Sequence, residues 1–343
     1  VRFPQTHYRQ RANCNNNQDA NRDNHILSLL APSNATFHRP IELIPLFQER
    51  VWGRQSLAPF YPNRHVIDRI GEVWFTFKEN RTKYGQTLGD LINANPKILG
   101  QTFDPTHPNQ CPLLAKLLFT SERLSVQVHP RDDYAQEHHQ SLGKTEAWYV
   151  VSAEPDAEVA VGFKQPITAQ RLEESARSGE IETLLDWRPV QAGDTIFVPA
   201  GTVHAIGAGT TICEIQQNSD ITYRLYDYGR ARELHLEHGM RVSDLGPYHY
   251  RVRPRPLGPG REELVVSEYF RIEKLTVSAP MPVGGGLPYY LLLTCIKGSG
   301  EIAGEHFHAG TAWLVPAFSD PFNIKGPGSE WILTYTDAVH ATF

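Results

Sequence analysis

The sequence predicts a mainly β protein of sandwich or barrel architecture with one small helical segment. Short runs rich in β-branched and aromatic residues recur through most of the chain between Gly and Pro turns, the pattern of small closed or stacked sheets. Helical periodicity is clear in a single stretch, residues 168–186. Two segments echo one another, GDTIFVPAGTVHAI (193–206) and HAGTAWLVPAFSDPFNI (308–324): each sets a strand before a Val-Pro-Ala turn, and only the first follows the turn with a histidine. That echo points to two related β domains.

Taken in order, residues 1–38 are rich in Asn, Gln and Arg and are expected to form a disordered or loosely attached extension, with a short helix at Ile26–Ala31. This polar start, which opens on Val, carries no signal-peptide apolar run. The character changes at Pro40. IELIPLFQERVWG (41–53) reads as a strand entering a loop, and GEVWFTFKEN (71–80) alternates Val73, Phe75 and Phe77 against Trp74 and Thr76 as a strand. Thr87 caps a short helix within residues 87–99. The apolar run 113–119 leads to the strand LSVQVHP (124–130) and then to TEAWYVVSAE (145–154). In the helical stretch Thr168 is the N-cap, Leu172 and Ala176 share a face, and Gly179 breaks the run. Strands follow in DTIFVPA, TTICEIQQ and ITYRLYDY, and again in the tail in YFRIEKLTV, YYLLLTCIKG, TAWLVPA and EWILTYT. The Pro- and Gly-dense segment 244–263 is the best internal boundary. The expected organisation is therefore an extension (1–38), a first domain with a helical insert (39–245) and a second β domain (246–343).

Composition excludes several function classes. A net charge of −5 gives no footprint for nucleic acid. Arg251, Arg253 and Arg255 are spaced by Val252 and Pro254 and read as a solvated loop. The cysteines at 14, 111, 213 and 295 form no CxxC clamp and no disulfide framework, so they read as reduced thiols of a cytoplasmic protein. No apolar run reaches the roughly 20 residues of a membrane-spanning helix.

The chemistry concentrates around one constellation. Ser125, Gln127 and His129 are spaced by two and project from one strand face. Glu146 opens the next strand, and His204 follows the tight turn of Pro199, Ala200 and Gly201. Two imidazoles, a carboxylate and an amide oxygen suit a borderline divalent ion, Zn²⁺ first among them. The run GDTIFVPAGTVH fits the second motif of the cupins: Gly, five residues, Pro-x-Gly, two residues, His. The first cupin motif is present with Gln127 in place of its first histidine. By contrast His138, His139, His235 and His238 lie in polar segments and are expected in solvent. The pair in HFHAG (306–310) has no downstream Glu and His to complete a second metal set.

The runs SVQVHP, GKTEAWYV, GDTIFVPAGTVHAIGAG, EIQQNSDITYRLYDYGR and RELH, with GQTLGDLINANPKILG and ERVWG, together resemble the type I mannose-6-phosphate isomerases, particularly their short bacterial forms. The resemblance is strong over residues 41–240 and weak in the tail. It implies two cupin jelly-roll domains, the second degenerate, one zinc ion per chain, and interconversion of mannose 6-phosphate and fructose 6-phosphate. It also implies Gln127, His129, Glu146 and His204 as zinc ligands, Arg224 and Lys144 as active-site residues, and Lys116 and Ser125 as lining of the sugar-phosphate pocket. Two departures bear on the substrate rim: GEVWFTF stands where a GESW-type segment is common, and VWGRQ where VWGG is.

Such a reaction moves a proton between C1 and C2 through a cis-enediol whose oxyanion needs stabilising. Arg224 suits charge stabilisation or phosphate binding rather than base work, and Lys144 beside a dication acquires a lowered pKa and can shuttle protons. The base is left open between such a lysine and metal-bound water. Two other readings stay open: an isomerase for a different sugar or sugar phosphate, and a non-catalytic metal-containing cupin that senses sugar phosphates. The implied partner is a small sugar phosphate, with no nucleic acid and no membrane, and the oligomeric state is left open.

Overall fold

The computed structural model describes residues 38–64 and 68–336. The expected extension up to residue 37, its helix at Ile26–Ala31 and Cys14 lie outside the described residues. The first part of the chain runs through β1 (Ile41–Leu43), β2 (Leu46–Arg54), β3 (Ile70–Trp74), α1 (Leu88–Ala94), β4 (Leu113–Phe119), β5 (Val126–Val128), α2 (Asp132–His139), β6 (Glu146–Ala153) and β7 (Glu158–Phe163). It continues through α3 (Ala169–Ser178), α4 (Ile181–Leu184), β8 (Leu185–Pro189), β9 (Thr195–Val198), β10 (His204–Ile206), β11 (Thr210–Gln217), β12 (Tyr223–Tyr226) and α5 (Leu236–Val242). The remainder forms β13 (Arg255–Gly258), β14 (Arg261–Val266), β15 (Arg271–Thr276), β16 (Met281–Val283), β17 (Leu291–Lys297), β18 (Ser299–Ile302), β19 (Glu305–His308), β20 (Ala312–Val315), β21 (Phe322–Lys325) and β22 (Glu330–Tyr335).

Four sheets result, in the orders β2-β3-β4-β11-β6-β9, β12-β5-β10-β7-β8, β1-β20-β17-β22-β15-β14-β13 and β16-β21-β18-β19. The first two face each other as one barrel and the last two as a second, which agrees with the mainly β cupin architecture expected from the sequence. Period-two alternation explains how they stack. On β4, Ala115, Leu117 and Phe119 point away from the first barrel; on β11, Cys213 and Ile215 do the same. These residues join Ile272, Leu292, Leu314 and Ile332 of the seven-stranded sheet in one core, so the two large sheets bury each other's outer faces. The alternate residues Leu118 and Ile212 point inward and meet Trp148 and Val161 in the barrel interior. The outer face of the five-stranded sheet is covered by helices through Leu172, Ala176, Ile181 and Val242.

Helix ends follow the sequence closely. The Thr87 and Thr168 side chains accept hydrogen bonds from the backbone N–H of Asp90 and Arg171 at 3.1 Å each, satisfying donors that a helix start leaves unpaired. Gly179 takes the left-handed conformation at the end of α3.

Three local expectations are corrected. Residues 41–53 are two strands rather than one strand and a loop. Pro45, which has no N–H to donate, separates them, and β1 leaves to pair with β20. The strand through 73–77 stops at Trp74. Beyond it the Thr76 hydroxyl donates to Leu113 O at 2.8 Å and accepts from Ala115 N–H at 2.8 Å, while the Asn80 amide donates to Trp74 O at 2.7 Å, so side chains replace the ladder. The segment 244–263 contains β13 and the start of β14, and Arg255 pairs there with Glu263 at 2.9 Å; Arg251 and Arg253 are exposed in irregular chain.

Gly100 sits where the two barrels meet, at φ +61°, bridged to Tyr289. A Cβ there would stand 2.2 Å from Pro288 O and 2.6 Å from Ala317 Cβ. The Gly100→Ala variant is therefore expected to lose about 2 kcal/mol or more of stability, from backbone strain and collision together. Thermal or denaturant unfolding would show it, and an unshifted midpoint would mean that this junction bears no strain.

Candidate metal centre and active-site pocket

Strand register assembles the site. His204 on β10 pairs directly with Gln127 on β5, and Arg224 on β12 pairs with Gln127 from the other side. Residues directly opposite in an antiparallel pair project to the same face, so His204, Gln127 and Arg224 form a cross-strand row. His129 follows β5 on that face, and its ring centroid lies 4.8 Å from that of His204. Glu146 comes from the facing sheet, at the first residue of β6. The turn before His204 depends on Gly201 at φ +94°, whose N–H donates to His129 O at 2.9 Å and ties the two histidine segments together.

The imidazole tautomers are fixed from behind. His129 Nδ1 meets Ile221 O at 2.9 Å and His204 Nδ1 meets Thr202 O at 2.8 Å. Carbonyl oxygens only accept, so each Nδ1 carries the proton and each Nε2 presents a lone pair. Those Nε2 atoms lie 3.4 Å from Glu146 Oε2 and Oε1 respectively. Among the described residues His129, Glu146 and His204 are the group of three whose donor atoms fall within 4.8 Å of one another, and all three are buried. Glu146 Oε1 also accepts from Trp148 Nε1 at 3.0 Å, while Oε2 has ion-pair contacts but no directed hydrogen bond. A buried acceptor without a donor, facing two imidazole lone pairs, fits a cation.

The protonation states agree with that. Burial, followed by the charge of Lys144, pushes the His129 pKa down to about 3, and burial lowers that of His204. Both are neutral at pH 7, the state in which imidazole binds metal. For Glu146 burial disfavours the charge, but the charge of Lys144 above all opposes it, and the carboxyl is held well below its usual range. Lys144 lies 3.3 Å from Glu146 Oε2 and 3.1 Å from His129 Nε2. Burial acts to lower its pKa, yet Glu146, Glu214, Asp220 and Glu72 together raise it. The lowered value expected for Lys144 belongs to a state with a dication beside it; the protein's own charges act in the opposite sense.

Gln127 and Lys144 open onto a cavity of about 460 Å³ whose wall also carries Lys116, Ser125, Glu214 and Arg224. The structure thus brings together all eight residues singled out from the sequence. Ser125 Oγ donates to Gln127 Oε1 at 3.2 Å, and Gln127 Nε2 lies 3.3 Å from His204 Nε2. Lys116 on β4 is the cross-strand neighbour of both Glu214 and Trp74. Its Nζ is 3.4 Å from Glu214 Oε1 and 4.8 Å from the Trp74 ring centroid.

Sequence reasoning missed Glu214, Glu72, Asp220, Arg50 and Arg232, which line the same cavity. Glu214 had a signal: it is the lone charge inside the apolar strand TTICEIQQ. Burial first, and then the charge of Glu146, push its pKa up to about 7 against the pull of Lys116 and Lys144. Two histidine expectations are also corrected. His138 and His139 are exposed, but His235 and His238 are half-buried. His235 Nδ1 accepts from Arg224 N–H at 3.1 Å, and the His238 ring stacks on Tyr223 at 5.1 Å. Both brace β12, the strand that bears Arg224. His306 and His308 are exposed on β19. Cys111, Cys213 and Cys295 are buried free thiols, and among the described residues no helix is long and apolar enough to cross a membrane.

Residues 41–164 match the family model described as the catalytic domain of type I phosphomannose isomerase. Two proteins of Bacillus subtilis, the probable mannose-6-phosphate isomerase GmuF and the mannose-6-phosphate isomerase ManA, are each 35% identical, with 84% of this chain and 96% of the relative covered. The crystal structure of a mannose 6-phosphate isomerase from Bacillus subtilis superposes with a TM-score of 0.79 at 30% identity, covering 86% of this chain and 99% of that one.

Metal content is the direct check on the cluster. Protein stripped with a chelator and dialysed against zinc should bind one ion per chain and melt at a higher temperature than the stripped form, whereas His204→Ala should do neither. Undiminished metal in His204→Ala would remove that histidine from the ligand set.

Proposed function

The chain belongs to the type I phosphomannose isomerases and is a mannose-6-phosphate isomerase, and on that premise we propose that it works with one zinc ion held by Gln127, His129, Glu146 and His204 and through a cis-enediol intermediate. The observation that carries this reading is the convergence of two imidazole lone pairs on the buried Glu146 carboxylate at the wall of a charged cavity. Gln127 completes the set after a half-turn of its amide, which brings Oε1 to the His204 side and leaves Nε2–H to donate to Ser125. Zinc held by these residues would supply a Lewis acid able to polarise a carbonyl and to offset developing negative charge.

The chain's own residues do the rest. Glu214 is the best-placed proton carrier between C1 and C2. It is a buried carboxylate on the cavity wall with a pKa near the working pH, where a general base is most effective. Lys116, its cross-strand partner, fixes the carboxylate and keeps a positive charge beside it when it has given up its proton. Lys144, on the cavity wall beside Glu146, is placed to donate hydrogen bonds to developing negative charge on the substrate oxygens. Arg224 adds a fixed cation on the opposite side of Gln127. Buried walls of Leu118 and Leu124 limit water at the reacting carbons, which protects the enediol.

A coupled assay for fructose 6-phosphate tests this. Wild type should turn over mannose 6-phosphate, and metal removal should abolish the reaction reversibly. Glu214→Gln should lower kcat by about 10²–10⁴, the usual worth of a general base, with metal content unchanged. Because a base acts in its deprotonated form, wild-type kcat should fall as the pH drops through about 7, and the variant should lose that limb. A Glu214→Gln enzyme with wild-type kcat would transfer the proton-carrying role to another group.

A further inference from the structure

The cations of the cavity fall into two kinds. Lys144 faces Glu146 at 3.3 Å, Lys116 faces Glu214 at 3.4 Å and Arg50 faces Glu72 at 3.0 Å. Each of these three is balanced by a carboxylate that lies beside it. Arg224 has no carboxylate within ion-pair distance among the described residues, and Arg232 shares its carboxylate, Asp227, with Arg230. Arg224 donates from Nη1 to the Glu233 carbonyl at 2.7 Å, and its buried Nε has no acceptor. Arg232 is gripped on one edge only: Nε donates to Asp227 Oδ2 at 2.7 Å and Nη2 to Asp227 Oδ1 at 2.6 Å. Its Nη1 donates to no acceptor among the described residues. Burial lowers the Arg224 pKa first, and Arg232 is the strongest cationic influence after it. Of the other carboxylates of this wall, Glu49 and Asp220, Asp220 acts on Lys144.

Both arginines line the one cavity; two neighbouring guanidinium groups repel each other unless an anion lies between them, and a fork of planar donors matches a phosphate. Asp227 is 2% exposed and holds both Arg232 and Arg230, the latter at 2.8 Å. Those bonds order the chain after β12 and set the angle of Arg232 before any ligand arrives, which reduces the entropy lost on binding.

We propose that Arg232, with Arg224, holds the phosphate of the substrate, that Asp227 is the positioning residue that aims Arg232, and that this pair makes the enzyme choose phosphorylated over free hexoses. The proposal rests on the isomerase reading and adds to it the residues that set substrate class. Phosphate is held equally in ground state and transition state, so its loss weakens binding more than chemistry.

The test uses the zinc-loaded full chain, with steady-state kinetics on mannose 6-phosphate and free mannose and with inorganic phosphate as competitive inhibitor. Arg232→Ala is expected to raise both KM for mannose 6-phosphate and Ki for inorganic phosphate by about tenfold or more, the worth of one charge-assisted hydrogen bond. Its kcat should fall far less than its KM rises, as for lost uniform binding, and the preference in kcat/KM for mannose 6-phosphate over free mannose should shrink by about tenfold. Arg232→Lys should recover part of the loss, since it keeps the charge without the fork. Asp227→Asn should shift the same two constants less, and should add little when combined with Arg232→Ala. An Arg232→Ala enzyme with wild-type KM and Ki overturns the proposal, as does one that loses kcat at constant KM. If Arg232→Ala does not fold, Arg232→Lys with wild-type constants for both ligands overturns it equally. Wild type that leaves mannose 6-phosphate untouched sinks the isomerase reading instead, and calorimetric titration of inorganic phosphate into wild type and Arg232→Lys then still decides the clamp.

Discussion

The constraint on which the site depends is the burial of the Glu146 charge. A carboxylate 1% exposed to solvent is tolerated only where opposite charge and hydrogen-bond donors replace its water. Here Lys144 and Trp148 supply these, while two imidazole lone pairs face the carboxylate, and the imidazoles are held in turn. Carbonyl oxygens of Ile221 and Thr202 orient the imidazoles. Gln216 lies opposite Glu146 on β11, and the Gln217 side chain ties the backbone N–H of Thr145 at 2.9 Å to the Asp132 carboxylate at 2.9 Å. The polar lining is therefore a connected set in which removing one member leaves another buried without a partner. That is the chemical argument for the cation proposed at its centre: one dication would satisfy three buried donor atoms at once.

A barrel interior rich in charge needs stability from elsewhere, and the second barrel provides it. Strands β4 and β11 are buried on both faces. Their inward residues include Lys116, Glu214 and Gln216, while their outward residues are apolar and pack against the seven-stranded sheet. One strand thus serves chemistry on one face and cohesion on the other. The hydrophobic contribution of the interface scales with the apolar area removed from water and does not require the site itself to be apolar. β1 strengthens the junction by crossing from the segment that precedes the first barrel into the sheet of the second.

Much of this was legible in the sequence because it rests on spacing. Gln127 and His129 share a face by period two, the Pro-x-Gly turn fixes His204, and Thr168 with Gly179 delimits α3. Elements whose ends are set by distant side chains were not legible. Nothing in GEVWFTF announces that Asn80 and Thr76 will cap the strand at Trp74, and nothing local to Ile41–Leu43 says that it pairs with a strand about 270 residues later. Glu214 and Arg232 were missed for a related reason. Their roles depend on cross-strand neighbours, Lys116 for the one and a carboxylate five residues earlier in an irregular loop for the other, and single-strand periodicity does not register either.

The two barrels show how phase, more than residue type, decides whether a motif becomes a site. In the first, Val126 and Val128 turn outward into the core beneath the helices, so Gln127 turns into the barrel with His129. In the second, the sequence His306-Phe307-His308 has two histidines at the same spacing. Phe307 is the residue that turns inward, packing its ring edge-on against Trp331 at 4.5 Å, and both histidines face solvent. Trp313 and Trp331 fill the interior that a metal cluster would occupy. A one-residue change of phase exchanges the two faces of a strand, so turning this histidine pair inward would expel Phe307 from its packing against Trp331. The two interiors divide labour by polarity: that of the second is apolar packing around Trp313 and Trp331, and that of the first sets Lys116 and Glu214 beside a cavity of about 460 Å³.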